Sequence, residues 1–271
     1  MKKVIFNLFD STSIVHSMSS FFNLDELKLE NYFKTRNLRF SDFDMEYNKL
    51  INEFHININN FNYENALLKL KHVLTDIDKF ATLEKYGLKD LSFMLTSDTS
   101  LNYFLNSHNI KFNLINKTLL IDNYEYDIIP YTKNEQYPNI DSNILKSINN
   151  IHHKLFFYNG EIEAFSLVKT EFLKGYSTIA RYPEIIANLD NILRYLNKKT
   201  YLGNTWWNMK NSTNLLEFEL PVTNLITEKH FCNYLIERCF YGLTDTSVLY
   251  EAISLDTNIP HTSIKIIPLN N

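Results

Sequence analysis

Five glycines in 271 residues leave this chain almost no material for loops in which bare backbone cradles a phosphate. The Gly-x-Gly-x-x-Gly turn of dinucleotide-binding sheets, the P-loop and the Gly-rich loop of kinases each need several glycines in close succession. Those architectures are excluded first. Hydrophobic residues make up 45% of the chain and aromatics 14%, enough for a substantial core in one large domain or two small ones. The abundance of Asn, Ile and Lys is the bias of an AT-rich coding sequence and carries no mechanism, so Asn-rich stretches such as 57–62 are not read as disordered.

A formal charge of −4, from 27 Lys+Arg against 31 Asp+Glu, gives no global attraction to a polyanion or an anionic bilayer. No apolar run reaches the roughly 18 residues needed to span a membrane, and the first residues lack the apolar stretch of a secretory signal. The expectation is a cytoplasmic protein without membrane association. Cys232 and Cys239 form neither a disulfide framework nor a paired-ligand pattern, and no metal site is expected. Seven residues apart on a helix, they share a face suited to core packing.

Hydrophobic spacing organises the chain. Residues 1–64 carry apolar positions at helical intervals, among them Phe21, Leu24, Leu27, Phe43, Leu50 and Phe54, and read as a helical region with Asn/Asp punctuation. Residues 65–271 read as strands and helices. A strand ending near Leu74 runs into a helix from about Ile77 to Tyr86, capped by Thr75-Asp76 and stopped by Gly87. Alternating runs around Asp122-Asn123 signal a hairpin. Helices are expected at about 142–157, after Pro183 and at about 228–240. Strands are expected over Leu215–Leu220, Val248–Leu255 and Ile264–Ile267, and an extended stretch over Phe165–Ile179. Trp206 and Trp207 fall in a loop, where they either line a ligand cleft or anchor the backbone. His152-His153 point about 100° apart on a helix and cannot chelate one ion unaided. The fold class is α+β: a helical N-terminal region, then a mixed, mainly antiparallel β core with flanking helices.

Three segments carry chemistry. Lys71-His72-Val73-Leu74-Thr75-Asp76 ends a strand with a histidine and a threonine, and Leu83-Glu84-Lys85-Tyr86-Gly87-Leu88 closes the helix behind it. Tyr176-Ser177-Thr178, followed by Arg181 and Pro183, precedes another helix. Glu251, in a strand followed by a turn and Ile259-Pro260, supplies a late carboxylate; Leu216-Glu217-Phe218-Glu219 is the alternative. In this order the segments resemble the ADP-ribosyltransferase-like fold, of the His-Tyr-Glu type, over about residues 65–271. Tyr176-Ser177-Thr178 lacks the final serine of that family's Ser-Thr-Ser variant. The resemblance implies a mono-ADP-ribosyltransferase-like enzyme, with NAD as co-substrate and no metal. His72 and Thr75 would hold NAD beside the adenosine ribose and nicotinamide, Tyr176 and Ser177 would lie under the nicotinamide, Arg181 would meet the pyrophosphate, and Glu251 would be catalytic. It also implies an intracellular macromolecular acceptor, as for a toxin or phage-defence effector. The residue types suit the reaction: departure of neutral nicotinamide leaves a cationic ribose, which a carboxylate stabilises as it forms. The alternative from another class is a non-catalytic immunity or antitoxin partner whose aromatic N-terminal helices contact a protein.

Overall fold

The computed structural model describes residues 2–36, 38–39, 43–122, 124–130, 141–157, 161–168, 180–196, 198, 201–244, 246–254 and 256–269. It divides into two compact units, each assembled from three stretches of chain: 1–72 with 163–175 and 217–254, and 73–162 with 176–216 and 255–271. Residues 1–64, read from the sequence as a helical N-terminal region with a soft boundary, lie within the first unit. The chain is a mixture of helices and mainly antiparallel strands, as expected of an α+β protein.

The N-terminal region begins with a strand, β1 (Val4–Phe6), and not with a helix. Three residues are too few to show a period, but β1 pairs in parallel with the start of β2 (Ala66–Asp76), Val4 opposite Ala66 and Phe6 opposite Leu68. Three helices follow as expected: α1 (Ser11–Phe22), α2 (Glu26–Lys34) and α3 (Phe43–Glu53). Asp10 caps α1 by accepting from the amides of Thr12 and Ser13, and Asp25 caps α2 through Lys28. The buried stripe of α1 enters an aromatic cluster in which Phe21 lies 5.8 Å from Phe6, 5.1 Å from Phe22 and 5.6 Å from Phe61, ring centre to ring centre. The unit is completed by β6 (Ile162–Val168), of which 163–168 belong to it, α10 (Phe231–Gly242) and β8 (Val248–Ile253).

In the second unit β2 runs on to Asp76, so the helix behind it starts later than its sequence suggests, as α4 (Ala81–Tyr86). The Asp76 carboxylate bends the chain back by accepting from the amides of Asp78 and Phe80, an Asx turn in place of a helix cap. Gly87 ends α4 at φ +73°. There follow α5 (Leu91–Thr96), α6 (Ser100–Ser107) and a three-stranded antiparallel sheet of β3 (Ile110–Asn113), β4 (Thr118–Ile121) and β5 (Tyr124–Asp127). The last two form the hairpin expected at Asp122-Asn123, with Asp122 at φ 55°. α7 (Ser142–His152) continues as one π-helical turn to Phe157, and α8 (Glu184–Tyr195) follows Pro183. The core of this unit joins Leu101, Ile110, Leu119, Ile148, Ile186 and Trp206.

The tryptophan pair lies on a helix, α9 (Leu202–Met209), where a loop was expected. Its first amides are capped from a distance: Asp190 on α8 accepts from Leu202 at 2.6 Å and Gly203 at 2.8 Å. A Cβ at Gly203 would fall 2.6 Å from the Tyr182 ring and 2.9 Å from Asp190 Oδ2 on α8, so the approach of α9 to that carboxylate favours glycine there. β7 (Ser212–Pro221) and β9 (Lys265–Pro268) are the remaining strands among the described residues. The larger sheet has the order β8-β6-β2-β7-β9, with β1 added on β2.

Candidate functional site

His72 is the last residue of the first unit's stretch of β2. Its Nδ1 lies 2.8 Å from the Glu163 carbonyl oxygen on the neighbouring β6, and a carbonyl can only accept, so Nδ1 carries the proton and Nε2 is left as an acceptor. Burial pushes the imidazole below its ordinary 6.5, against the opposing pull of that carbonyl. The half-buried ring is therefore neutral at physiological pH with its tautomer fixed, the form that accepts a hydroxyl proton.

Strand register sorts the candidate carboxylates. Lys71 pairs with Phe165 across β2 and β6, and opposed residues of an antiparallel pair share a face while neighbours along a strand alternate. His72, Leu70 and Ser166 thus point to one side, Lys69, Lys71 and Phe165 to the other. Glu251 belongs to the His72 side, because Ser166 Oγ donates to its carboxylate, while its neighbour Tyr250 meets Phe165 at 4.9 Å on the opposite face. Glu217 lies on the far side from His72, with Lys69 Nζ at 3.5 Å and Lys71 Nζ at 3.8 Å, and Glu219 shares its parity. Two strand spacings across and two residues along put the His72 and Glu251 Cα atoms roughly 12 Å apart.

The Glu251 carboxylate does not border an open cleft. Its side chain is 1% exposed. Besides Ser166, it accepts from the Tyr234 hydroxyl and from Arg238 Nε, 2.8 Å from one oxygen and 3.1 Å from the other. Both partners come from α10, whose next carboxylate, Glu237, is 3.5 Å from Arg238 Nη1. Burial raises Glu251 above the usual carboxylate range; the Arg238 guanidinium and the two hydroxyls act against that rise. Chemically, the arrangement is an acid held ready-oriented, with neutral and cationic donors on both oxygens.

The other expected residues lie in the second unit or outside the described residues. Thr75 is buried, and its Oγ1 accepts from the Trp206 indole at 3.2 Å. Arg181 is exposed, its guanidinium 5.8 Å from the Trp207 ring centre. Tyr176 and Ser177 lie outside the described residues, as does most of the extended stretch expected over Phe165–Ile179. Two segments of the resemblance meet within the second unit: the Leu88 amide donates to the Ile259 carbonyl at 3.0 Å. A Cβ at Gly87 would collide with that carbonyl, so Gly87-Leu88 and Ile259-Pro260 lie against each other because residue 87 has no side chain.

Sequence reasoning missed the partners of Glu251. Tyr234 and Arg238 are four apart on α10 and hence on one face, the signal that could have found them. Cys232 and Cys239 are both buried, and burial raises both thiols. His152 and His153 hold their ring centres 6.0 Å apart, edge to face. An open cavity of about 520 Å³ on α1 to α3, lined by Lys28, Tyr32, Arg36, Glu53 and Phe54, contains none of the expected residues. Arg36 is already engaged there by Glu46 and Glu53, each at 3.2 Å. Among the described residues no group of three His, Cys, Asp or Glu could hold a metal ion, and no helix is long and apolar enough to cross a membrane. Comparison with protein-family models, curated proteins and solved structures finds no match to the chain.

Proposed function

We propose that the chain is an ADP-ribosyltransferase-like enzyme that cleaves the nicotinamide glycosidic bond of NAD and transfers ADP-ribose to an intracellular macromolecule. The observation that carries this reading is the shared face of His72 and Glu251, roughly 12 Å apart by strand geometry, with Glu217 and Glu219 on the other face. In this reading a neutral imidazole whose Nδ1 is occupied by Glu163 accepts a ribose hydroxyl through Nε2. The carboxylate, kept oriented by Ser166, Tyr234 and Arg238, exchanges one of these donors for a ribose hydroxyl. Its charge then stabilises the cation that appears as nicotinamide leaves.

NAD at about 100 times its dissociation constant should stabilise the chain by about 2.7 kcal/mol, a thermal shift that His72→Ala should largely abolish. Incubation of the chain and cell lysate with NAD labelled in its ADP-ribose part should give labelled macromolecule, sorted by protease or nuclease digestion. An absent thermal shift together with absent label transfer and NAD loss would overturn the proposal.

A second reading, a non-catalytic partner-binding module, is favoured by the enclosure of Glu251, which can be explained as a cross-link between β6, β8 and α10. The 71% exposed Leu27 on α2 and 53% exposed Met45 on α3 are apolar points for a partner protein. It expects no response to NAD from the wild type or any variant.

A further inference from the structure

The second unit carries a cationic and aromatic face that the NAD reading does not use as a whole. Trp206 and Trp207 divide the labour of α9: Trp206 is 2% exposed and tied to Thr75, whereas Trp207 is 40% exposed. Lys210 Nζ lies 3.6 Å from the Trp207 ring centre and Arg181 Cζ 5.8 Å from it. Lys210 is held in place, donating to Thr213 Oγ1 at 2.7 Å with the Ala180 carbonyl at 3.5 Å. Thr213 Oγ1 itself donates to the same carbonyl at 2.8 Å. Among the described residues no carboxylate pairs with either cation. Two like charges are thus gathered on one indole, and burial, then Arg181, lowers the Lys210 ammonium; an anion bound to both would relieve that repulsion. The surplus acidity of the chain does not oppose such a ligand locally, because the second unit holds 14 Lys+Arg against 14 Asp+Glu and the −4 belongs to the first.

We propose that the Arg181–Trp207–Lys210 face binds single-stranded nucleic acid, the two cations meeting backbone phosphate and the indole meeting a base. An exposed indole offers a stacking surface that a free strand can use and a paired duplex cannot. Three side chains on an open face cover little of a lone nucleotide, so the occupant is a strand that adds contacts beyond them. The proposal does not rest on the NAD reading: neither Lys210 nor Trp207 belongs to it, and oligonucleotide binding needs no NAD.

The test is fluorescence anisotropy of a fluorescein-labelled oligo(dT) titrated with the full chain at several salt concentrations. Wild type should bind more weakly as salt rises, and Lys210→Gln and Arg181→Gln should each lower the slope of log affinity against log salt by about 0.7. Trp207→Leu should weaken binding about tenfold or more with the slope unchanged. Arg194→Gln, an exposed cation elsewhere in the same unit, should change nothing. Absence of binding at low salt, equal affinity in all variants, equal affinity for a duplex of the same length, or full competition by AMP at matched nucleotide concentration would overturn the proposal.

Discussion

Glu251→Gln removes a single negative charge where three donors converge, and its cost can be worked from the contacts. The carboxylate accepts from Ser166, Tyr234 and Arg238, whereas a glutamine amide presents one oxygen and an NH2 that must face one of those donors. Breaking a buried ion pair by removing one partner costs about 3 to 5 kcal/mol, and the 18% exposure of the Arg238 side chain lets water recover part of it, so about 3 kcal/mol is expected. With an unfolding entropy of about 2.1 cal/mol/K per residue, a chain of 271 residues should melt about 5 °C lower, read by far-UV circular dichroism or calorimetry. Arg238→Met leaves the acid unpaired and should also destabilise. The double variant should lose less than the sum of the two, because the desolvated partner is then gone as well. A Glu251→Gln midpoint within about 1 °C of wild type, outside the range this arithmetic allows, would mean that the carboxylate borders solvent and that its enclosure has been misread.

Gly87→Ala should destabilise by more than about 1 kcal/mol, because residue 87 sits at φ +73° against the Ile259 carbonyl; faster hydrogen exchange at the Leu88 amide is the specific readout, and unchanged exchange would refute the contact. His72 should make the fold acid-sensitive. Its folded value lies below the ordinary 6.5, so the stability it contributes is present above about pH 6.5 and lost as pH falls through the folded value. Between about pH 7 and pH 5.5 the wild-type melting temperature should therefore fall further than that of His72→Gln, and parallel profiles would refute the shift.

What the sequence made legible follows how local each signal is. α8 shows itself through Ile185, Ile186, Leu189, Ile192 and Leu193, all buried on one stripe. The β4–β5 hairpin shows itself through its turn residues. α9 was hidden because Tyr201 makes no side-chain cap and Asp190 supplies one from twelve residues upstream. β1 was hidden because a parallel partner 62 residues away defines it. The same distinction governs the candidate site. Strand patterning placed Glu217, Glu219 and Glu251 on strands and gave no means of choosing their faces, since a slip of one residue reverses every side chain. The choice depends on Lys71 opposing Phe165 and Ser166 meeting Glu251, pairings between residues 94 and 85 positions apart.

Each compact unit takes its residues from three separate stretches, the first closing only with residues 217–254 and the second with 255–271. During synthesis from the N-terminus, β1 to α3 emerge long before α10 and β8, against which their unit is completed. At about 5 to 20 residues per second, residue 254 appears roughly 10 to 40 s after the end of α3 at Glu53. For that interval Phe43 waits for Phe240 and Tyr241, and Tyr63 for Phe231, partners not yet made. Neither unit can close early, so a chain stalled near residue 200 still lacks the closing stretch of both.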